Sequence, residues 1–98
     1  MQQDPEIETR RYLVELVRPD AGWGELQAVT AHVRDAVRVA RQGGRDVSLL
    51  RSIYVPEQER LFLLCEATSL DSIRAVASSA GLVPSGIEPA VIHDTTTR

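Results

Sequence analysis

Four short apolar runs are interrupted by two stretches with helical spacing, and this order limits the possible folds more than any single motif does. Arg11 to Arg18 (RYLVELVR) is rich in Leu and Val and stops at Pro19-Asp20-Ala21-Gly22, as a largely buried strand closed by a turn would. From Trp23 to Gln42, Leu26, Val29, Val33, Val37 and Ala40 recur every three or four residues, while Glu25, Arg34, Asp35, Arg38 and Arg41 lie off that stripe. This predicts an amphipathic helix, stopped by Gly43-Gly44. Val47 to Val55 and Leu61 to Glu66 read as two strands joined by the short segment Pro56 to Arg60, which predicts an antiparallel hairpin.

Thr68 or Ser69 caps a second helix with Leu70, Ile73, Ala77 and Ala80 on one face and Gly81 at its end. Ile87 to Ile92 has the length and composition of a last strand, and Pro89 suits a sheet edge better than its centre. The resulting order, βαββαβ, defines a ferredoxin-like α+β fold: a four-stranded antiparallel sheet with two helices on one face. The other face is then uncovered. Strands this apolar on both faces predict that a second copy packs there.

Ninety-eight residues suit one domain. Residues 1–10 read as a disordered N-terminal arm, 11–92 as the domain and 93–98 as a flexible tail. The composition is that of a soluble globular protein, 43% hydrophobic and 26% charged. All eleven basic residues are arginine, yet the net charge is −3, so the overall field offers nucleic acid no attraction. No apolar stretch approaches the roughly 18 residues of a membrane span, and the N-terminus lacks a secretory pattern, so a cytoplasmic location is expected. A single cysteine, Cys65, excludes an internal disulfide and reads as a small core hydrophobe.

RYLVELVRP, LLRSIYVPEQERLFLLCEA and AGLVPSGIEPAV, in that order and spacing, resemble a small bacterial family of unknown function whose members include an actinobacterial nickel-binding protein. The resemblance spans Arg11 to Val91 and implies a ferredoxin-like fold and a dimeric α+β barrel, in which two sheets pack face to face. It also implies nickel as the divalent metal, if the chain takes any cofactor at all. The nickel-binding branch carries a histidine in the second helix, whereas the matching stretch here, Ala75-Val76-Ala77-Ser78-Ser79, has none. Ile53 is an extra residue between Ser52 and Tyr54 relative to the family pattern, which predicts a bulge or a shifted register.

Glu15 interrupts one apolar strand and Glu66 ends another, and the topology makes those strands antiparallel neighbours. A carboxylate projecting from an apolar face must be protonated, paired with arginine, or bound to a ligand. The simplest arrangement pairs Glu15 with Arg51 or Arg11. Plain alternation through the hairpin puts Phe62, Leu64 and Glu66 on one face with Leu50, Ser52 and Tyr54. Glu15, Ser52, Tyr54 and Glu66 are therefore the candidate ligand-binding residues. His32 and His93 are weak metal candidates, because two histidines without further ligands at suitable spacing make a poor site.

No Ser-His-Asp set, phosphate loop or dinucleotide fingerprint is present, so a binding role is favoured over catalysis. The leading expectation is a homodimeric binding protein holding a small molecule or, weakly, a metal ion. The alternative is a cofactor-independent enzyme of the cyclase or monooxygenase kind, with Glu15 or Glu66 as acid/base and Tyr54 as an orienting donor. A third reading is an interaction subunit whose sheet docks another protein.

Overall fold

The computed structural model describes residues 9–19 and 22–93. Its elements follow the predicted order: β1 (Arg10–Val17), α1 (Trp23–Gln42), β2 (Val47–Val55), a single 3-10 turn at Pro56–Gln58, β3 (Arg60–Ala67), α2 (Leu70–Ser79) and β4 (Gly86–Ala90). The domain begins at Arg10, one residue earlier than expected. The last strand starts one residue earlier and stops two residues sooner than its β-branched content suggests. The expected arm and tail lie, apart from Thr9, Arg10 and His93, outside the described residues.

The strands form one antiparallel sheet in the order β2-β3-β1-β4. Each helix therefore crosses over an intervening strand: α1 carries the chain from β1 past β3 to β2, and α2 carries it from β3 past β1 to β4. The fold is ferredoxin-like α+β. Pro89 sits on β4, which pairs only with β1, so the missing N–H of a proline falls on an edge strand.

One face of the sheet and both helices make the core. Tyr12, Val14 and Leu16 of β1 and Leu61, Leu63, Cys65 and Ala67 of β3 are buried against Leu26, Val29, Val33, Ala36 and Val37 of α1 and Ile73, Val76 and Ala77 of α2. Both predicted helical stripes face this core, and Ala36 and Val76 widen them. Ser69 caps α2 by accepting a hydrogen bond from the Ser72 N–H at 3.2 Å. Gly81, at φ +76°, turns the chain out of α2 in a conformation that L side chains rarely adopt.

A bulge separates the two halves of β2: Leu49 pairs with Cys65 and Arg51 with Leu64, leaving Leu50 without a partner. The extra residue thus sits at Leu50 and not at Ile53. It reverses the face predicted for the second half of the strand. Ser52 and Tyr54 lie opposite Leu63 and Leu61, on the helix side, whereas Arg51 and Ile53 lie opposite Leu64 and Phe62, on the uncovered side.

Candidate functional site

The four residues predicted to share a pocket are split between the two faces of the sheet. Glu15 and Glu66 project from the uncovered face, and Ser52 and Tyr54 from the helix-facing side. The correction follows from the bulge: one unpaired residue inverts the alternation of everything after it. Tyr54 is half-buried and packs against the core.

Ser52 meets α1. The Thr30 hydroxyl lies 2.7 Å from the Leu26 carbonyl and 2.9 Å from the Ser52 hydroxyl. A hydroxyl has one proton, and a carbonyl only accepts, so Thr30 donates to Leu26 and Ser52 donates to Thr30.

The two carboxylates are not a pair. Glu15 lies opposite Phe62, and Glu66 lies opposite Arg11, with Leu13 facing Leu64 between them. Four residues along β1 separate the two positions, roughly 13 Å of strand. Each carboxylate has its own arginine: Arg60 Nε donates to Glu15 Oε2 at 2.8 Å, and Arg11 Nε lies 3.4 Å from Glu66 Oε2. Glu15 thus pairs with Arg60 and with neither arginine named from the sequence. Its backbone carbonyl also accepts from the Ser85 N–H at 2.8 Å, tying β1 to the turn before β4.

The face opposite the helices, over which no described helix packs, is therefore an apolar band closed at both ends by ion pairs. Leu13 and Phe62 are half-buried and Leu64 is buried, although none of the three belongs to the helix-side core. Val17 and Ile53 remain 45% and 41% exposed at the margins. Between the sheet and the helices, beside Cys65, lies a void of about 10 Å³, too small for an organic ligand. Burial pushes the Cys65 thiol up to about 11, so it is a neutral core group at ordinary pH.

His32 is exposed on α1 and His93 is exposed beyond β4. Asp35, three residues after His32, pairs with Arg38. Among the described residues, no three His, Cys, Asp or Glu side chains converge as metal ligands.

The sequence reading missed a groove at the outer edge of β2. Trp23, Thr30 and Arg34 of α1 line it with Leu50, Arg51 and Ser52 of β2, around a volume of about 630 Å³. Trp23 is 68% exposed there.

No family model, curated protein or solved structure matches the chain. The fold alone defines its class: a ferredoxin-like α+β domain with both helices on one face of the sheet. No described helix is long and apolar enough to cross a membrane.

Proposed function

We propose that the protein is a small homodimeric binding protein of the α+β-barrel kind, in which the uncovered sheet faces of two copies pack together and hold a small molecule between them. One observation carries this reading: on the face opposite the helices, half-buried Leu13 and Phe62 flank buried Leu64 in a contiguous apolar band, fenced by the Arg60–Glu15 and Arg11–Glu66 pairs. Apolar surface in that arrangement, with a polar rim, is the usual anatomy of a protein interface. The sequence resemblance to a dimeric family points the same way. Glu15 and Glu66 face this space, so they and their arginines are the polar groups a ligand between the sheets would meet. Ser52 and Tyr54 have no part in it.

The test is light scattering coupled to size exclusion, run on the wild type, Phe62→Arg and Leu13→Arg at tens of micromolar. Neither side chain belongs to the helix-side core, so both variants retain the fold, which far-UV circular dichroism verifies. The expected result is a wild type of twice the 10.8 kDa chain mass and variants that run as monomers. A monomeric wild type overturns the proposal, as does a dimer that tolerates both charges.

A further inference from the structure

The groove at the β2 edge combines four features that the dimer reading leaves unused. It holds the only tryptophan of the chain, Trp23, whose ring is largely in water. A large exposed aromatic at the start of a helix has no packing role here. Two arginines, Arg34 and Arg51, line the same groove, and no carboxylate does. Four other arginines, Arg11, Arg18, Arg38 and Arg60, each lie within ion-pair distance of a Glu or Asp, and Arg41 and Arg45 hydrogen-bond to neutral oxygens. Neither Arg34 nor Arg51 forms an ion pair among the described residues. In a chain of net charge −3, two uncompensated cations in one groove form a local positive site against the overall field.

The fourth feature is the bulge. Leu50 is outside the β2–β3 ladder and lines the groove, on a strand that is itself a sheet edge. Bulges commonly re-aim side chains beside binding sites. Here the bulge brings Arg51 and Ser52, which belong to opposite faces, to one lining.

We infer that this groove binds a small planar organic anion: an aromatic ring carrying a carboxylate, with the ring against Trp23 and Leu50 and the carboxylate between Arg34 and Arg51. Guanidinium groups match carboxylate oxygens in a planar, two-point fashion, and an aromatic ring offers Trp23 a stacking surface of its own size. Thr30 donates its proton to the Leu26 carbonyl and Ser52 donates its own to Thr30, so the charge of the anion falls to the arginines. The volume lies within the range of small-molecule sites, and the open geometry makes binding modest, with a dissociation constant on the order of 0.1 to 1 mM. All of its lining residues come from one copy.

The single tryptophan makes the test direct, because its indole N–H gives one resolved cross-peak in a ¹⁵N–¹H spectrum. The probe is 2-naphthoate, compared with neutral 2-naphthalenemethanol and with acetate, which has the charge and no ring. Naphthoate should shift the Trp23 cross-peak saturably, with affinity at least tenfold above either control and falling as salt rises. Arg34→Gln and Arg51→Gln, both at exposed positions, should each weaken it about threefold to tenfold and together abolish it. Leu13→Arg, on β1 and not among the residues that line the groove, should leave it unchanged, which separates this site from the apolar band of the sheet. Equal binding of naphthoate and the neutral alcohol, indifference to both arginine variants, or no shift up to about 10 mM naphthoate would each overturn the inference.

Discussion

Arg60 Nε on β3 donates to Glu15 Oε2 on β1 at 2.8 Å, bridging diagonally across the sheet from beside Phe62, which faces Glu15 directly. Both side chains are about a third exposed in the single chain, 35% and 36%. In that setting a pair is worth about 0.5 kcal/mol. Covered by a second sheet, the same pair loses its water, and removing one partner alone strands a charge at a cost of about 2 kcal/mol or more. A double-mutant cycle with Glu15→Gln and Arg60→Gln, measured by urea unfolding in the wild type and in Phe62→Arg, should therefore show strong coupling in the first and weak coupling in the second. Equal, small couplings in both would place the pair in solvent and count against a covered face.

Two glycines should respond in opposite directions to alanine. Gly81 has φ +76° and no atom near its missing Cβ, so Gly81→Ala meets no clash but must hold a left-handed backbone. The expected cost is about 1 kcal/mol, a fall in Tm of roughly 4 to 8 °C for a domain of this size. Gly24 lies in the first turn of α1 with nothing near it either, and its φ is unremarkable. Gly24→Ala should raise stability by about 0.5 kcal/mol. Calorimetric melting of the two variants checks both signs.

Cys65 should make the protein sensitive to alkali. Its thiol titrates near 9.0 when unfolded and is pushed up to about 11 by burial in the fold. Between those values the unfolded chain has released a proton that the folded chain retains, so stability falls as pH rises through this window. The full loss, reached above about pH 11, is on the order of 2 to 3 kcal/mol. Denaturant midpoints of the wild type and Cys65→Ala should therefore converge as the pH climbs from 8.5 to 11. Parallel curves would show that the thiol ionises equally in both states. The buried thiol should also resist iodoacetamide at neutral pH until the chain unfolds.

Nickel should bind poorly. Among the described residues no ligand cluster exists, His32 and His93 are both exposed, and α2 lacks a histidine. A carboxylate paired with arginine is a weak ligand for an ion that favours imidazole. Calorimetry with Ni²⁺ on tag-free protein should show no submicromolar site. Submicromolar binding lost in Glu15→Gln or Glu66→Gln would restore the sheet carboxylates as metal ligands.

Nearly all elements were legible in the sequence because hydrophobic spacing reports directly on burial. Leu26, Val29, Val33 and Val37 recur at helical intervals since one face of α1 meets the sheet, and Pro89 marked an edge since it cannot donate to a ladder. The face of Ser52 and Tyr54 was illegible for a related reason. A bulge at Leu50 between apolar neighbours leaves no mark in the alternation, and only the ladder to β3 reveals it. Arg60 was missed as the partner of Glu15 because a diagonal contact depends on register, which periodicity does not encode. The groove at the β2 edge was hidden more deeply, since Trp23, Arg34 and Arg51 come together only once α1 lies along β2. Its one trace in the sequence was a tryptophan between two glycines.

The unpaired Leu50 also acts as a change of reading frame within a single strand. Before it, odd-numbered positions such as Val47 and Leu49 face the helices; after it, even-numbered Ser52 and Tyr54 do. Any transfer of residue roles from a homologue that lacks the insertion is correct up to Leu49 and off by one from Arg51 to Val55. In such an alignment a helix-facing hydroxyl would be mistaken for one aimed at the partner sheet. Deleting Leu50 alone would pit the two halves of β2 against each other, because no single phase satisfies both, whereas moving the insertion by one or two positions changes which side chains the β2 edge displays.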